Sequence, residues 1–181
     1  MDEKGCMRGI GENVKVLVPR SEAEAFSIQP GNREWVSIIE CIGIIGFILP
    51  PLFIFQGQRI QEDWVDATIN KKAVVRVTPY GWTDSTVALD WIQHFDKHTA
   101  SKTRGIYRLL ILDGHTSHLS IGFIQYYQDH KIILLYLPPH STHYLQPLDV
   151  GIFGPLAQAY RTLVSQGSIY GARRVDHLQF L

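Results

Sequence analysis

An α/β fold with a mixed sheet is what this 181-residue sequence predicts, and three observations predict it. The first half carries apolar, β-branched stretches, VKVLVPR at 14–20 and VSIIECIGIIGFILPPLFIFQG at 36–57, of the composition strands favour. The segment GWTDSTVALDWIQHFDKHT changes period, with Ala88, Trp91, Ile92 and Phe95 at i, i+3, i+4 and i+7, one face of a helix. Two continuous apolar runs, RLLIL at 108–112 and KIILLYL at 131–137, then bracket a helix-length segment, SIGFIQYYQDH. Strands followed by strand–helix–strand imply an antiparallel section first and a parallel βαβ unit after it.

Taken in order, VKVLVPR alternates as a short strand, and SEAEAFSIQPGNRE is a polar connection with a Pro-Gly turn. Two strands follow, at about 35–42 and 47–55, joined near Gly43 and Gly46. A membrane helix is the competing reading of this greasy stretch. Its uninterrupted apolar part, Cys41 to Phe55, falls short of the roughly 20 residues a span needs, and Pro50-Pro51 would break a helix. From Gly57 to Pro79 the chain is polar and irregular. Thr83 or Asp84 then supplies a helix N-cap, while Lys97 and His98 suit the negative end of the helix dipole. The two later apolar runs have the pattern of strands covered on both faces. From Pro147 the chain turns helical through LAQAYRTLVSQG, with Gly167 as the expected stop.

At 45% hydrophobic and 19% charged residues, the composition is that of one globular domain with a real core. Lys+Arg and Asp+Glu both number 17, so there is no basic excess of the kind nucleic-acid binders usually carry. Binding to nucleic acid must then rest on local basic patches, or on metal ions that offset acidic residues. Cys6 and Cys41 make neither a disulfide framework nor a metal pair and read as free thiols of a reducing compartment. The charged opening MDEKGCMRG has no apolar stretch and is no signal peptide.

Functional groups of open α/β sheets gather beyond the carboxyl ends of the strands. Asp113 ends the RLLIL strand there, and the loop leaving the next strand leads to Asp149. Asp2, at the start of the chain, is a third candidate. Three carboxylates at one point repel each other unless cations lie between them, and hard oxygen donors suit Mg²⁺ or Mn²⁺. A pair of such ions about 4 Å apart serves in-line phosphoryl displacement. Taken singly, Asp113-Gly114 is ordinary turn chemistry and Asp149 an ordinary helix cap. The histidines offer a rival: His115 with His118, and His140 with His143, are each spaced i, i+3, a loose zinc-hydrolase pattern beside Asp113.

MDEKG, QPGNREWVSII, HFDKHT, YRLLILDGHTSH and LPPHSTHYLQPLDVGIFGPLAQAYR stand in that order along the chain. Together they resemble the DDE superfamily endonucleases of the pogo/Tigger/jerky type, in the broad Tc1/mariner group, especially fungal transposases. The resemblance implies an RNase H-like fold, a mixed five-stranded sheet flanked by helices. It also implies a metal-dependent acid triad that hydrolyses a phosphodiester of DNA and joins the freed 3′-hydroxyl to target DNA. The family's first acid falls on Asp2, the second on Asp113, and the third, in QPLD, on Asp149. The implied cofactor is Mg²⁺ or Mn²⁺ in a two-metal site held by these three. His115, His118, His143 and Gln146 become supporting or DNA-facing residues. DNA (transposon ends and target) is the implied partner, a homo-oligomer a compatible assembly, and the nucleus the implied location.

Only Met1 precedes Asp2, so against the family pattern the N-terminal strand reads as truncated. Lys4 stands where relatives have Thr, the hairpin turn CIGIIG should expose isoleucines, and Ala157 or Gln158 stands where relatives often have a basic residue. No helix-turn-helix precedes the domain, and the chain stops at HLQFL. Residues 1–181 therefore read as a single DDE-type catalytic core shortened at both ends. Two readings stay open: an endonuclease core, active or decayed, and a domesticated DNA-binding protein like centromere protein B.

Overall fold

The computed structural model describes residues 1–8, 34–60, 72–114, 120–138 and 141–169, without the side chains at 142, 143 and 166–169. Six strands form two sheets. In the first, β1 (Asp2–Met7), β2 (Trp35–Glu40), β3 (Leu52–Gln56) and β4 (Val74–Thr78) lie side by side in that order. β1 and β3 run antiparallel to β2, and β4 runs parallel to β3. In the second, β5 (Arg108–Leu112) and β6 (Ile132–Tyr136) are parallel. At the seam between the sheets the Met1 ammonium donates to the Ile111 carbonyl at 2.9 Å. The mixed strand directions agree with the expected α/β fold, and among the described residues the strands divide four and two rather than forming one five-stranded sheet.

β1 is a full six-residue strand, with Asp2 opposite Glu40 and Met7 opposite Trp35, so the expected loss of its ladder is not observed. Gly5 accommodates the Trp35 indole, where a Cβ would stand 2.1 Å from a ring carbon. The hairpin between β2 and β3 turns at Gly46 (φ +80), with Gly46 N–H donating to Gly43 O at 2.9 Å. Its strands are shorter than expected, although Ile42 and Ile48 still bridge. Ile44 and Ile45 are exposed at its tip, as the sequence suggested.

Strand β4 falls inside the stretch that reads as irregular in sequence. Its interrupting charge is satisfied from outside: Arg76 Nε donates to Asp90 of the first helix at 2.6 Å. That helix, α1 (Ser85–Thr99), starts where Asp84 accepts from the Thr86 and Val87 amides, both at 2.9 Å. A 3₁₀ turn, Ala100–Lys102, follows it. The crossover helix α2 (Ile121–Asp129) is capped by Ser120. Three helices close the described chain: α3 (Thr142–Leu145), α4 (Pro147–Gly151) and α5 (Phe153–Ile169). Gly167 does not end α5; its helix-propensity cost of about 1 kcal/mol is small enough for neighbours to override.

Strand alternation sorts the side chains by face. Ile39, Leu52, Ile54 and Val74 meet α1 through Val87, Ala88, Trp91, Ile92 and Phe95. Leu110, Leu112, Phe123 and Ile132 belong to the same core, so α1 and α2 cover both sheets from one side. On the opposite side Val36 and Phe55 form a second cluster with Phe53, Val75 and Val77. There β5 and β6 depart from the expectation of two covered faces: Leu109 is 60% and Ile111 41% exposed. Ile133 and Leu135, their register partners on β6, are exposed beside them. VKVLVPR lies outside the described residues.

Candidate active site

Asp2 opens β1 and shares a sheet face with Lys4 and Cys6. Lys4 Nζ stands 5.9 Å from the centroid of the Phe153 ring, which places the start of α5 over this same face. The alternation that sends Leu109 and Ile111 to that face continues to Asp113, just past β5. Asp149 lies in the first turn of α4. The corner bearing it is held by Leu148 and Phe153, both buried, while Pro147 fixes the backbone at the first helical position. Sequence places these three acids far apart. The fold brings Asp149 and Asp113 within electrostatic reach of Asp2.

The evidence of that reach is Asp2 itself. Only 6% exposed, its carboxyl is pushed up from 3.8 to about 6. Burial is the largest cause, the Asp149 charge the next, and Asp113 adds to it. The Glu3 backbone N–H, which donates to Oδ1 at 2.9 Å, and the Gln146 amide pull the other way. Oδ2 is buried with no hydrogen-bond partner. A buried, partnerless carboxylate oxygen facing two further carboxylates fits a divalent cation, whose charge would replace the missing donors. Among the described residues no three His, Cys, Asp or Glu side chains are gathered closely enough to hold an ion together. The acids therefore form an electrostatic cluster rather than a closed cage.

Gln146, read in sequence as supporting or DNA-facing, is buried. It is 2% exposed, and its Nε2 donates inward to the Met1 carbonyl at 2.8 Å. His115 and His118 lie outside the described residues, as does His140 of the zinc reading. The backbone of His143 belongs to α3, and its side chain is not described. Sequence reasoning passed over Glu40, which stands opposite Asp2 in the β1–β2 register and whose carboxyl is raised by burial. Its signal was available: like Asp113, it ends an apolar strand. Cys6 and Cys41 are free thiols, Cys41 buried and Cys6 half-buried.

One acid thus follows the end of β5, a second sits on the α4 corner and a third opens β1. Residues 32–179 match the family described as DDE superfamily endonuclease, and the chain belongs to that family. Over 181 residues it is 37% identical to the MFS-type transporter clz9 of Cochliobolus lunatus, covering 99% of this chain and 20% of that protein. The transporter name belongs to that longer protein; among the described residues no helix is long and apolar enough to cross a membrane. Pogo transposable element with KRAB domain is 23% identical over 159 residues in Mus musculus and 25% over 162 in Homo sapiens. In each case 87% of this chain and 26% of the relative is covered. This chain thus spans between a fifth and about a quarter of the length of these curated relatives. The Mos1 transposase paired-end complex with left transposon end has a similar fold, with a TM-score of 0.59 at 13% identity. That likeness covers 99% of this chain and 48% of Mos1. A DDE superfamily endonuclease domain is therefore what these residues form, with a fold similar to that of the Mos1 transposase.

Proposed function

We propose that this domain is a single catalytic core that cuts DNA by metal-dependent phosphodiester hydrolysis and joins the freed 3′-hydroxyl to target DNA. Asp2, Asp113 and Asp149 hold the divalent ions, Mg²⁺ or Mn²⁺, that DDE endonucleases generally use. The observation that carries this reading is the buried Asp2 carboxylate, its Oδ2 without a partner and its acidity suppressed by Asp149 and Asp113. Bound there, the ions would activate the attacking oxygen and stabilise the leaving 3′-oxygen. The chain's own part is to hold Asp2 buried at the start of β1, where a bound cation would take the place of the proton that its raised pKa favours. The β5 strand end and the α4 corner carry the other two charges toward it. A chain acting on transposon ends and target DNA works in the nucleus, and cutting paired ends, as in the Mos1 complex, calls for a homo-oligomer.

The test is purified protein with Mn²⁺ and labelled duplex DNA. Asp113→Asn and Asp149→Asn should each abolish cleavage; cleavage that survives both substitutions sinks the triad. Lys4 favours a second reading, in which the domain binds DNA without cutting it, like centromere protein B. Lys4 shares a sheet face with Asp2 and holds its Nζ over the Phe153 ring, a cation placed to serve a phosphate. DNA retained in chelator, with no cleavage in Mn²⁺, would select that reading. With a formal net charge of zero, such binding should weaken steeply as salt rises.

A further inference from the structure

Gln146 occupies the N-cap position of α4 but makes no capping bond there. Its backbone is extended (φ −89, ψ 107), and its side chain turns away from its own helix. The amide is buried and donates to the carbonyl of Met1, 145 positions away in sequence. That carbonyl belongs to the peptide that carries Asp2. The side chains that cap helices best are Ser, Thr, Asp and Asn, so α4 starts without a side-chain cap and the amide reaches across the fold instead.

We propose that Gln146 is a positioning residue that ties the helix corner bearing Asp149 to the start of β1, and so fixes where the Asp2 carboxylate stands. The proposal rests on the reading of Asp2, Asp113 and Asp149 as a metal-binding triad. Two acids on separate elements repel, and the repulsion alone would drive the α4 corner away from β1. A neutral donor between them opposes that drift without neutralising either charge. Glutamine meets the need: it is long enough to cross, it is uncharged, and it offers two N–H groups on one planar amide. Lysine would add a cation to a site meant for metal, and glutamate would add a fourth negative charge and no donor.

The test compares the wild-type chain with Gln146→Met and Gln146→Glu, which both keep the reach of the side chain and lose the donor. Calorimetric Mn²⁺ titration and hydrogen exchange of the β1 amides are the readouts, with thermal melting to verify folding. Both variants should weaken Mn²⁺ binding about 10- to 100-fold, as loss of a residue supporting a metal ligand does. Exchange in β1 should quicken while α1 stays at its wild-type rate. Wild-type Mn²⁺ affinity in folded variants overturns the proposal, even if β1 loosens, because Gln146 would then be packing alone. Unchanged β1 exchange in both overturns it too. A wild-type chain that takes up no Mn²⁺ instead overturns the triad reading, and β1 exchange still decides whether the tie exists. If Gln146→Met melts below the working temperature, Gln146→Glu at lower temperature carries the same comparison.

Discussion

The four-stranded sheet and the β5–β6 pair are built from similar sequence and end up in different surroundings. Strand β2 buries Val36 and Ile38 on one side and Ser37 and Ile39 on the other. Strand β5 buries Leu110 and Leu112 under α1 and α2, but leaves Leu109 and Ile111 in the open. In sequence, RLLIL is as apolar as VSII. An unbroken apolar run therefore says that a strand is central or sided, not which; what covers it is decided by elements far along the chain.

Substitutions can sharpen that contrast, and Trp91→Ala should have the largest effect. Trp91 lies in the core shared by both sheets, and its loss should cost about 3–5 kcal/mol in urea unfolding. One transition is expected; two would mean that the sheets unfold as independent units. Within β5 the prediction is unequal neighbours. Leu110→Ala should cost about 2–5 kcal/mol, whereas Leu109→Ser should cost less than about 1 kcal/mol. Equal losses from the two would erase the difference between the faces.

The third prediction concerns pH. Asp2 has its carboxyl raised to about 6 by burial, Asp149 and Asp113, so the folded state binds this proton more tightly than the unfolded chain. Its stabilising contribution is complete below pH 3.8 and is lost as pH rises through about 6. The loss is on the order of 3 kcal/mol, measurable as a falling melting temperature. Asp2→Asn should flatten this dependence, and Mn²⁺ should restore stability above pH 6 in the wild type alone. Smallest is Ile44→Ser at the hairpin tip, expected within about 0.5 kcal/mol and visible chiefly as better solubility.

Much of this fold was legible in the residues themselves. The period of Ala88, Trp91, Ile92 and Phe95 located α1, Asp84 marked its start, and RLLIL and KIILLYL marked the parallel pair with its crossover helix. Strand β4 was hidden because Arg76 breaks its apolar pattern, and only a partner on α1 makes that charge tolerable in a sheet. Gly167 misled for a related reason: local propensity is weak where the rest of a helix is already held. In the site, Asp113 and Asp149 could be suspected from their places after strands, but Asp2 stood out only through family resemblance. The direction of Gln146 was unreadable, since residue type does not reveal whether an amide faces solvent or reaches across a fold.

Arg108 gives β5 an unequal pair of ends. Its guanidinium meets the Asp96 carboxylate, donates to Thr99 Oγ1 at 3.1 Å and to the His130 carbonyl at 2.9 Å, and lies over the Phe95 ring. Tyr126 donates to Asp96 at 3.2 Å, so α1, α2 and the start of β5 are bolted at one point. Asp113 stands at the other end, roughly 17 Å along the strand at about 3.3 Å per residue. Mechanically, β5 is a short beam held at both ends, for near its acidic end the Ile111 carbonyl accepts from the Met1 ammonium at 2.9 Å and the Leu112 carbonyl from the Leu137 N–H at 3.0 Å. A displacement at the Arg108 end would therefore be carried along the strand to the backbone just before Asp113 rather than absorbed by a loose terminus.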